Sequence, residues 1–410
     1  MLLEPRREIR FRVRTPGIAT WSVWLCWLWG FGLLSHSEGA EWSVQPSLNT
    51  KAYYNSNLFL LPLPHKETYG YWISPAAEIA GKTERLEVSS KLAADFVTYY
   101  GEERQFTNMF LPLSLRYKTE ADEFGFTGGF TRDNTLMGEL LSTGVVLRFT
   151  QRNQWNANPT WTRSLTEKLS VQSTVQFTDT SYQKGLSLGL VDYQLIGGST
   201  GLSYQLSDRD QLQLTGTYVS FHTTNGPFAL SAVFPGAIMG ITHAFSESFS
   251  GTVSGGPRFI SATTELPNNK ITAADTVWIY NASLMKKFER TFVQATLSRE
   301  IVPSGFGLLL ETNKIGMVAS YNLTEFVTAS LDTSYYIVSG ATNLSSGATL
   351  PEFKYTYVTP RLTWQFSEWW KLDLSYTYGS LRVSSIPELG TSNSVSFVVA
   401  YTPPKWSYSH

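Results

Sequence analysis

The 410-residue chain carries a formal charge of −1, with 14% aromatic and only 16% charged residues, 31 glycines and a mean hydropathy of −0.13. A disordered chain would show low hydrophobicity and high net charge, so that class is excluded. The near-zero charge excludes bulk nucleic-acid binding. Two or three ordinary domains would fit, but all-β barrels run long as single domains.

Residues 1–40 read as a separate object. Arg6, Arg7, Arg10, Arg12 and Arg14 make a basic start, and Ile18–Leu34 is apolar with four tryptophans. Small residues follow, Ser35-His36-Ser37 and Gly39-Ala40. Basic, apolar, small is the order of a secretory signal, with cleavage expected after 37 or 40. The run is short for a membrane anchor, the other reading. The single cysteine, Cys26, falls inside it, so the exported chain of residues 41–410 carries no thiol. That suits an oxidising periplasm and excludes disulfide scaffolds, thiolate metal sites and cysteine nucleophiles.

From Glu41 onward the chain reads as strands without a helical period. Short acidic turns punctuate it at Thr83-Glu84, Thr119-Glu120, Thr166-Glu167, Ser207-Asp208, Ser246-Glu247, Phe288-Glu289, Thr324-Glu325 and Ser367-Glu368. Their spacings are 36, 47, 41, 39, 42, 36 and 43 residues, an internal period of about 40. Each period holds two strands and one longer loop, and eight such turns with a strand at either end give 18 strands (16 is the alternative). Bacterial single-chain barrels have even counts. Longer connections rich in Gly, Pro, Asn and Ser fall between the turns, at Leu61–His65, Asp133–Gly138, Asn225-Gly226-Pro227, Leu266–Lys270, Pro303–Gly305, Asn343–Pro351 and Ser384–Gly390. The fold class expected is therefore all-β: a closed antiparallel transmembrane β-barrel with short periplasmic turns and longer extracellular loops.

The hairpin Tyr355–Leu381 shows the unit at its clearest. Trp370, Leu372, Leu374, Tyr376 and Tyr378 share one face, and Lys371, Asp373, Ser375 and Thr377 the other. Val358, Leu362, Trp364 and Phe366 likewise oppose Thr359, Arg361, Thr363 and Gln365. A period of two places different surroundings on the two sides of a strand. Eight residues tilted by about 40° rise about 20 Å, near the height of a lipid-facing belt between aromatic girdles. A soluble sandwich would also alternate, but its strands are shorter and its core would exclude mid-strand charges. In lipid every backbone group needs a partner, so the sheet must close. Pro75, Pro112, Pro257 and Pro360 sit mid-strand and read as bulge or register markers; the phase change near Gly197–Gly201 reads as a bulge. The last strand ends on the aromatic Tyr401, like the C-terminal signal of barrel-assembly machinery, but the chain runs nine residues further.

The stretch Tyr54-Asn55-Ser56-Asn57-Leu58-Phe59-Leu60, with Ile73–Ile79 and Arg85–Tyr99, resembles the opening of the outer-membrane barrels called the β-barrel porin 2 family, some encoded beside exopolysaccharide and exosortase systems. The resemblance covers the N-terminal third in motif and the rest in architecture. This chain has Asn55 and Ser56 where the family often has Asp. The resemblance implies outer-membrane location and a role in envelope transport or exopolysaccharide export.

Catalytic patterns are weak. Gly185-Leu186-Ser187-Leu188-Gly189 spells a hydrolase motif but lacks the strand–turn–helix elbow that motif needs. His65, His222, His243 and His410 have no metal-ligand spacing, although His222 and His243 could approach across neighbouring strands. No cofactor, metal or enzymatic activity is expected, and the length leaves no room for a plug domain. The face opposite the aliphatic residues carries the useful signal. Its bases are Lys51, Arg85, Lys91, Arg116, Lys118, Arg148, Arg152, Arg258, Lys287, Lys314, Arg361 and Lys371. Its acids are fewer: Glu78, Glu87, Asp95, Asp332 and Asp373. Rings of Arg and Lys favour anions in a pore, whereas the same bases paired to those acids would only solvate the wall. The expected function is a porin-like channel for small or anionic solutes; the alternative is a non-conducting docking barrel of an envelope complex. The partners expected are outer-membrane lipid, the assembly machinery after export through the periplasm, and an anionic solute or polysaccharide. Oligomeric state is left open.

Overall fold

A computed structural model describes residues 40–62, 65–101, 104–136, 149–224, 229–266, 269–341 and 351–409. The signal segment 1–39 therefore lies outside the described residues. The elements in order are β1 (Glu41–Asn55), β2 (Thr68–Lys82), β3 (Leu86–Tyr100), β4 (Arg104–Lys118), β5 (Asp122–Asn134), β6 (Gln151–Ser164), β7 (Leu169–Tyr182), β8 (Tyr193–Gln205), β9 (Asp210–Thr223), β10 (Ala229–Val233), β11 (Gly236–Ser246), β12 (Phe249–Leu266), β13 (Asn269–Lys287), β14 (Thr291–Pro303), β15 (Leu309–Asn322), β16 (Val327–Gly340), β17 (Phe353–Gln365), β18 (Trp370–Val383), β19 (Gly390–Tyr401) and β20 (Trp406–Ser409).

Apart from β10–β11 and β19–β20, each strand pairs antiparallel with the next, and β19 returns to β1, with Leu48 opposite Tyr401 and Asn55 opposite Ser394. The sheet is thus closed. β10 and β11 both lie between β9 and β12 as halves of one interrupted strand. β20 resumes the last strand beside Glu41–Val44 of β1. The 20 elements therefore make an 18-stranded wall, as the turn spacing predicts. Pro403 and Pro404, which have no N–H to give the ladder, separate β19 from β20. Trp406–Ser409, beyond the end of β19 at Tyr401, thus complete the closing strand.

All eight acidic turns lie at one rim, and in six of them the hydroxyl accepts a backbone N–H of the turn. Thr83 Oγ1 accepts the Leu86 N–H at 3.0 Å, Thr119 that of Asp122 at 3.0 Å, and Thr324 that of Val327 at 3.0 Å. Such a bond closes the turn locally without using the ladder.

Outward side chains form an apolar belt between two aromatic girdles. Phe124, Phe245, Phe288, Phe326 and Trp370 stand exposed near the turn rim, and Tyr71, Trp155, Tyr218, Trp278 and Tyr376 towards the opposite one. Leu, Val and Ile such as Val175, Leu214, Val253, Leu284 and Ile315 fill the space between. Exposed aliphatic side chains in a closed ring between aromatics are the surface of a barrel set in lipid.

Three local expectations are corrected. The prolines mark no bulges: the register is unchanged on either side of Pro75, Pro112, Pro257 and Pro360, and each interrupts two or three pairs with one neighbour. A missing donor breaks the bond it would have made and no more. The Gly197–Gly201 stretch is also unbulged, continuous in register with β7 and β9; the phase changes because Leu195 joins an inner apolar cluster while Ile196 faces out. The connection expected at Leu266–Lys270 falls largely within the strands, with Leu266 opposite Asn269 and Glu265 opposite Lys270. Most of the 343–351 loop, all of 225–227 and part of the 133–138 stretch fall outside the described residues.

Candidate pore interior

Residues opposed in register point to the same side of a sheet, so the inner face can be followed around the barrel. It passes through Lys51, Trp72 and Val97, continues through Arg152, Tyr182 and Arg258, and returns through Arg361, Ser375 and Ser396. Of the predicted residues, Lys91 and Asp95 of β3, Arg116 of β4, Arg152 of β6, Arg258 of β12, Lys287 of β13, Lys314 of β15, Arg361 of β17 and Lys371 and Asp373 of β18 lie on this face. Arg85 does not: it sits exposed in the turn between β2 and β3. Arg148 lies outside the described residues.

The bases divide into two groups. Arg116 grips Glu123 with two bonds of 2.9 and 2.8 Å. Arg152 grips Asp133 at 2.9 and 2.8 Å, with both side chains under 10% exposed. Lys371 lies 3.5 Å from Asp373 two residues along its own strand. These charges are neutralised locally. No carboxylate oxygen lies within 4.0 Å of Lys51, Arg258, Lys314 or Arg361 among the described residues. Aromatic faces take part of that place: Lys51 Nζ stands 4.1 Å from the Trp72 ring centre and 4.9 Å from that of Tyr53, and Lys314 Nζ 5.2 Å from that of Tyr336. Such contacts attract a cation without cancelling its charge.

The buried Arg152–Asp133 pair makes a sharp stability prediction. Arg152→Met leaves the Asp133 carboxylate buried without its partner, at a cost of about 3–5 kcal/mol. Urea-induced unfolding in lipid vesicles should show that loss, and adding Asp133→Asn should restore most of it.

Loops enter the lumen from the rim opposite the turns. In the β1–β2 loop, Asn55 Oδ1 accepts the Asn57 N–H at 2.7 Å and the Ser392 hydroxyl at 2.8 Å. Asn57, 2% exposed, donates through Nδ2 to the carbonyls of Leu61 at 2.7 Å and Thr391 at 2.9 Å, and its Oδ1 accepts the Leu61 N–H at 3.0 Å. This clamp turns the loop inward. Leu60, held at φ 53°, packs with Leu310, Tyr336, Val338, Phe353, Tyr355 and Leu381, and Leu58 packs with Val97 and Tyr99. The β14–β15 loop reaches the β7–β8 loop, where Val191 N–H donates to the Gly305 carbonyl at 2.7 Å. Gly307 sits at φ 72°, and a Cβ there would lie 2.7 Å from Val191. Leu190 and Phe306 join a large cluster with Tyr193, Phe221, Phe234, Ile260 and Val277. Apolar packing thus fills much of the lumen near this rim.

Three of the cavities that remain bear on function. One of about 360 Å³ is lined by Lys51, Arg361, Asp332, the tyrosines Tyr53, Tyr355 and Tyr357, and a row of hydroxyls that includes Ser375, Thr377, Ser394 and Ser396. A second, about 290 Å³, holds Arg258, Arg299 and Glu300 among Leu195, Val219, Phe234, Ile238 and Ile301. A third, about 300 Å³, lies beside Arg152, Gln154 and Val302.

The inner aromatic and apolar residues escaped the charge-based reading. One signal could have found them: apolar doublets such as Tyr53-Tyr54, Tyr99-Tyr100, Leu195-Ile196 and Tyr335-Tyr336 break the alternation at the loop-side ends of strands. There, both faces are covered. The hydrolase-like motif lies in a 3₁₀ turn, Gly185–Leu188, where the Ser187 hydroxyl donates to the Lys184 carbonyl at 2.8 Å. His222 and His243 are not brought together: His222 lies 2.8 Å from Ser231 near the loop rim, and His243 lies 2.7 Å from Asp210 near the turn rim. No group of three metal-ligating side chains gathers among the described residues.

Closed wall, lipid-type belt and polar, partly plugged lumen together define a membrane-spanning β-barrel. No family model and no curated protein matches the sequence, so the family resembled by the Tyr54–Leu60 motif is not shown. Solved structures do match. The ferric citrate transporter FecA, unliganded, is 8% identical with a TM-score of 0.51, over 84% of this chain and 60% of FecA. OccK5 (OpdH) of Pseudomonas aeruginosa is 13% identical with a TM-score of 0.45, over 88% of this chain and 98% of its own. OccAB3 of Acinetobacter baumannii is 10% identical with a TM-score of 0.44, over 89% and 99%. At such identities the likeness is one of fold.

Proposed function

We propose that the chain is a bacterial outer-membrane channel for small anionic solutes, narrowed by its own inward loops. The observation that carries this is the unequal pairing of the lumen charges. Arg116, Arg152 and Lys371 each lie against a carboxylate, whereas Lys51 and Arg361 face one cavity of about 360 Å³ whose wall carries one acid, Asp332, with no carboxylate oxygen within 4.0 Å of either base among the described residues. An excess of cations on a pore wall lowers the energy of a passing anion. The tyrosines and hydroxyls beside them offer hydrogen bonds to a polar organic anion. A cavity of that size suits one small solute at a time, so the part of the reading that concerned exopolysaccharide chains rests on the resemblance alone.

Purified protein in a planar bilayer should give discrete conductance steps with a reversal potential biased towards anions. Silence under all voltages and solutes would favour a structural barrel that docks an envelope complex. Cation preference would remove the lumen-charge argument and leave the channel.

A further inference from the structure

The wall has a seam. β13 pairs with β14 only from Tyr280 opposite Arg299 to Lys287 opposite Phe292. Its outer 11 residues, Asn269–Ile279, bond to β12 alone. Beyond Arg299, β14 bonds to β15 alone, from Glu300 to Pro303. The cause is visible in the lumen. Val302 and Pro303 line a cavity with Arg152, Gln154 and Thr178 of β6 and β7, and the loop after them is tied to Val191. β14 has left the wall to cross the interior, and β13 has not followed. The ladder between them stops at the height of the exposed outer-girdle residues Trp278 and Tyr280.

The cavity of about 290 Å³ opens onto both lips of this seam: Ile279, Tyr280 and Asn281 on one side, Arg299, Glu300 and Ile301 on the other. Its depth is apolar, with Leu195, Val219, Phe234 and Ile238. Two arginines line it, Arg258 from the inner face and Arg299 at its mouth, opposite the outward Tyr280. Arg258 donates at 3.4 Å to the Phe234 carbonyl and lies over the Phe234 ring, with no carboxylate oxygen within 4.0 Å among the described residues; Glu300 is the acid that shares the cavity wall. Arg299 holds Glu311 at 2.7 Å through Nη2, but its buried Nε donates to no group among the described residues. An unpartnered buried donor is costly, and an apolar pocket with a few converging polar groups is how ligand sites are built.

We propose that this seam is a side entrance through which an anionic amphiphile, a carboxylate on an alkyl body, passes between the membrane interface and the cavity. The alkyl body lies against Leu195, Val219 and Ile238, and the head group meets Arg258 and Arg299. Above the cavity the packed loops obstruct the route along the barrel axis, so the seam is the shorter way in. This route is independent of the conductance reading: a barrel silent to ions could still possess it.

A medium-chain fatty carboxylate with a terminal diazirine, added to the protein in nanodiscs and photolysed, tests the proposal by peptide mapping. Adducts are expected on residues 278–281 and 299–301 and around Ile238, competed by decanoate and not by decanol. Ile238→Trp, which fills the cavity, should reduce them about tenfold, and Arg258→Gln should abolish the preference for the acid. Ser254→Leu fills the same space should the first variant fail to assemble. Preloading the probe in the lipid should label faster than adding it to the solution. Three outcomes would overturn the proposal. They are adducts spread over belt residues such as Val253 and Leu284 and indifferent to both fillings, adducts confined to the loop residues Leu190 and Phe306, and adducts formed only when the probe is supplied in solution.

Discussion

Asn57→Ala should open the channel. The side chain makes three bonds, to the Leu61 carbonyl, the Leu61 N–H and the Thr391 carbonyl, and it is almost wholly buried. At a net contribution of about 1 kcal/mol each, their loss shifts the balance between seated and released loop by roughly a hundredfold. The released loop withdraws Leu58 and Leu60 from the lumen. Single-channel steps should grow roughly twofold or more, as cross-section is recovered. The same variant leaves the strand ladder intact, so barrel stability in urea should fall little. Unchanged conductance, with normal assembly, would show that the β1–β2 loop does not limit the pore. Asn57→Asp separates the roles of the side chain: it keeps an acceptor for the Leu61 N–H but loses the donor to the Leu61 and Thr391 carbonyls. Its conductance should fall between those of the parent and the alanine variant.

Charge reversal at Lys51 and Arg361 should invert ion preference. Each change to Glu alters the local charge by two, and the two residues line one cavity. A unit charge about 6 Å from a passing ion contributes about 0.7–3 kcal/mol at effective dielectric constants between about 80 and 20. Two reversals therefore exceed the 1.4 kcal/mol that corresponds to a tenfold change in preference. Lys51→Glu with Arg361→Glu should move the reversal potential from the anion to the cation side at about 0.1 M salt. The difference should shrink near 1 M, where the screening length is only about 3 Å. Arg116→Gln with Glu123→Gln is the control. It removes a matched pair and leaves the local net charge unchanged, so the reversal potential should stay on the anion side.

The barrel was largely legible in the chain because its cause is local and repeated. A hydroxyl–acid turn closes on itself within four residues, as at Thr83 and Thr324, and a strand between water and lipid must alternate. Strand count, inner face and most wall charges follow from these two rules. Arg85 was misplaced because the alternation runs into the turn, where facing loses its meaning. The prolines misled because a lost donor resembles a bulge in sequence, whereas the neighbouring pairs hold the register.

Two things were decided only by the tertiary structure. One is which lumen bases stay uncompensated: Arg152 faces Asp133 across the β5–β6 ladder and Lys51 faces Trp72 across β1–β2, and the pairing register that opposes them is set by the folded ladder. The other is the interior of the loop-side half. Tyr54–Leu60 read as a family motif; folded, it is the Asn55–Asn57 clamp that carries Leu58 and Leu60 inward. The departure of β14 from the wall is likewise invisible in its own alternation, because it depends on the tie between Val191 and Gly305 across the lumen. Local periodicity determines the wall of this protein; contacts between distant loops determine what can pass through it.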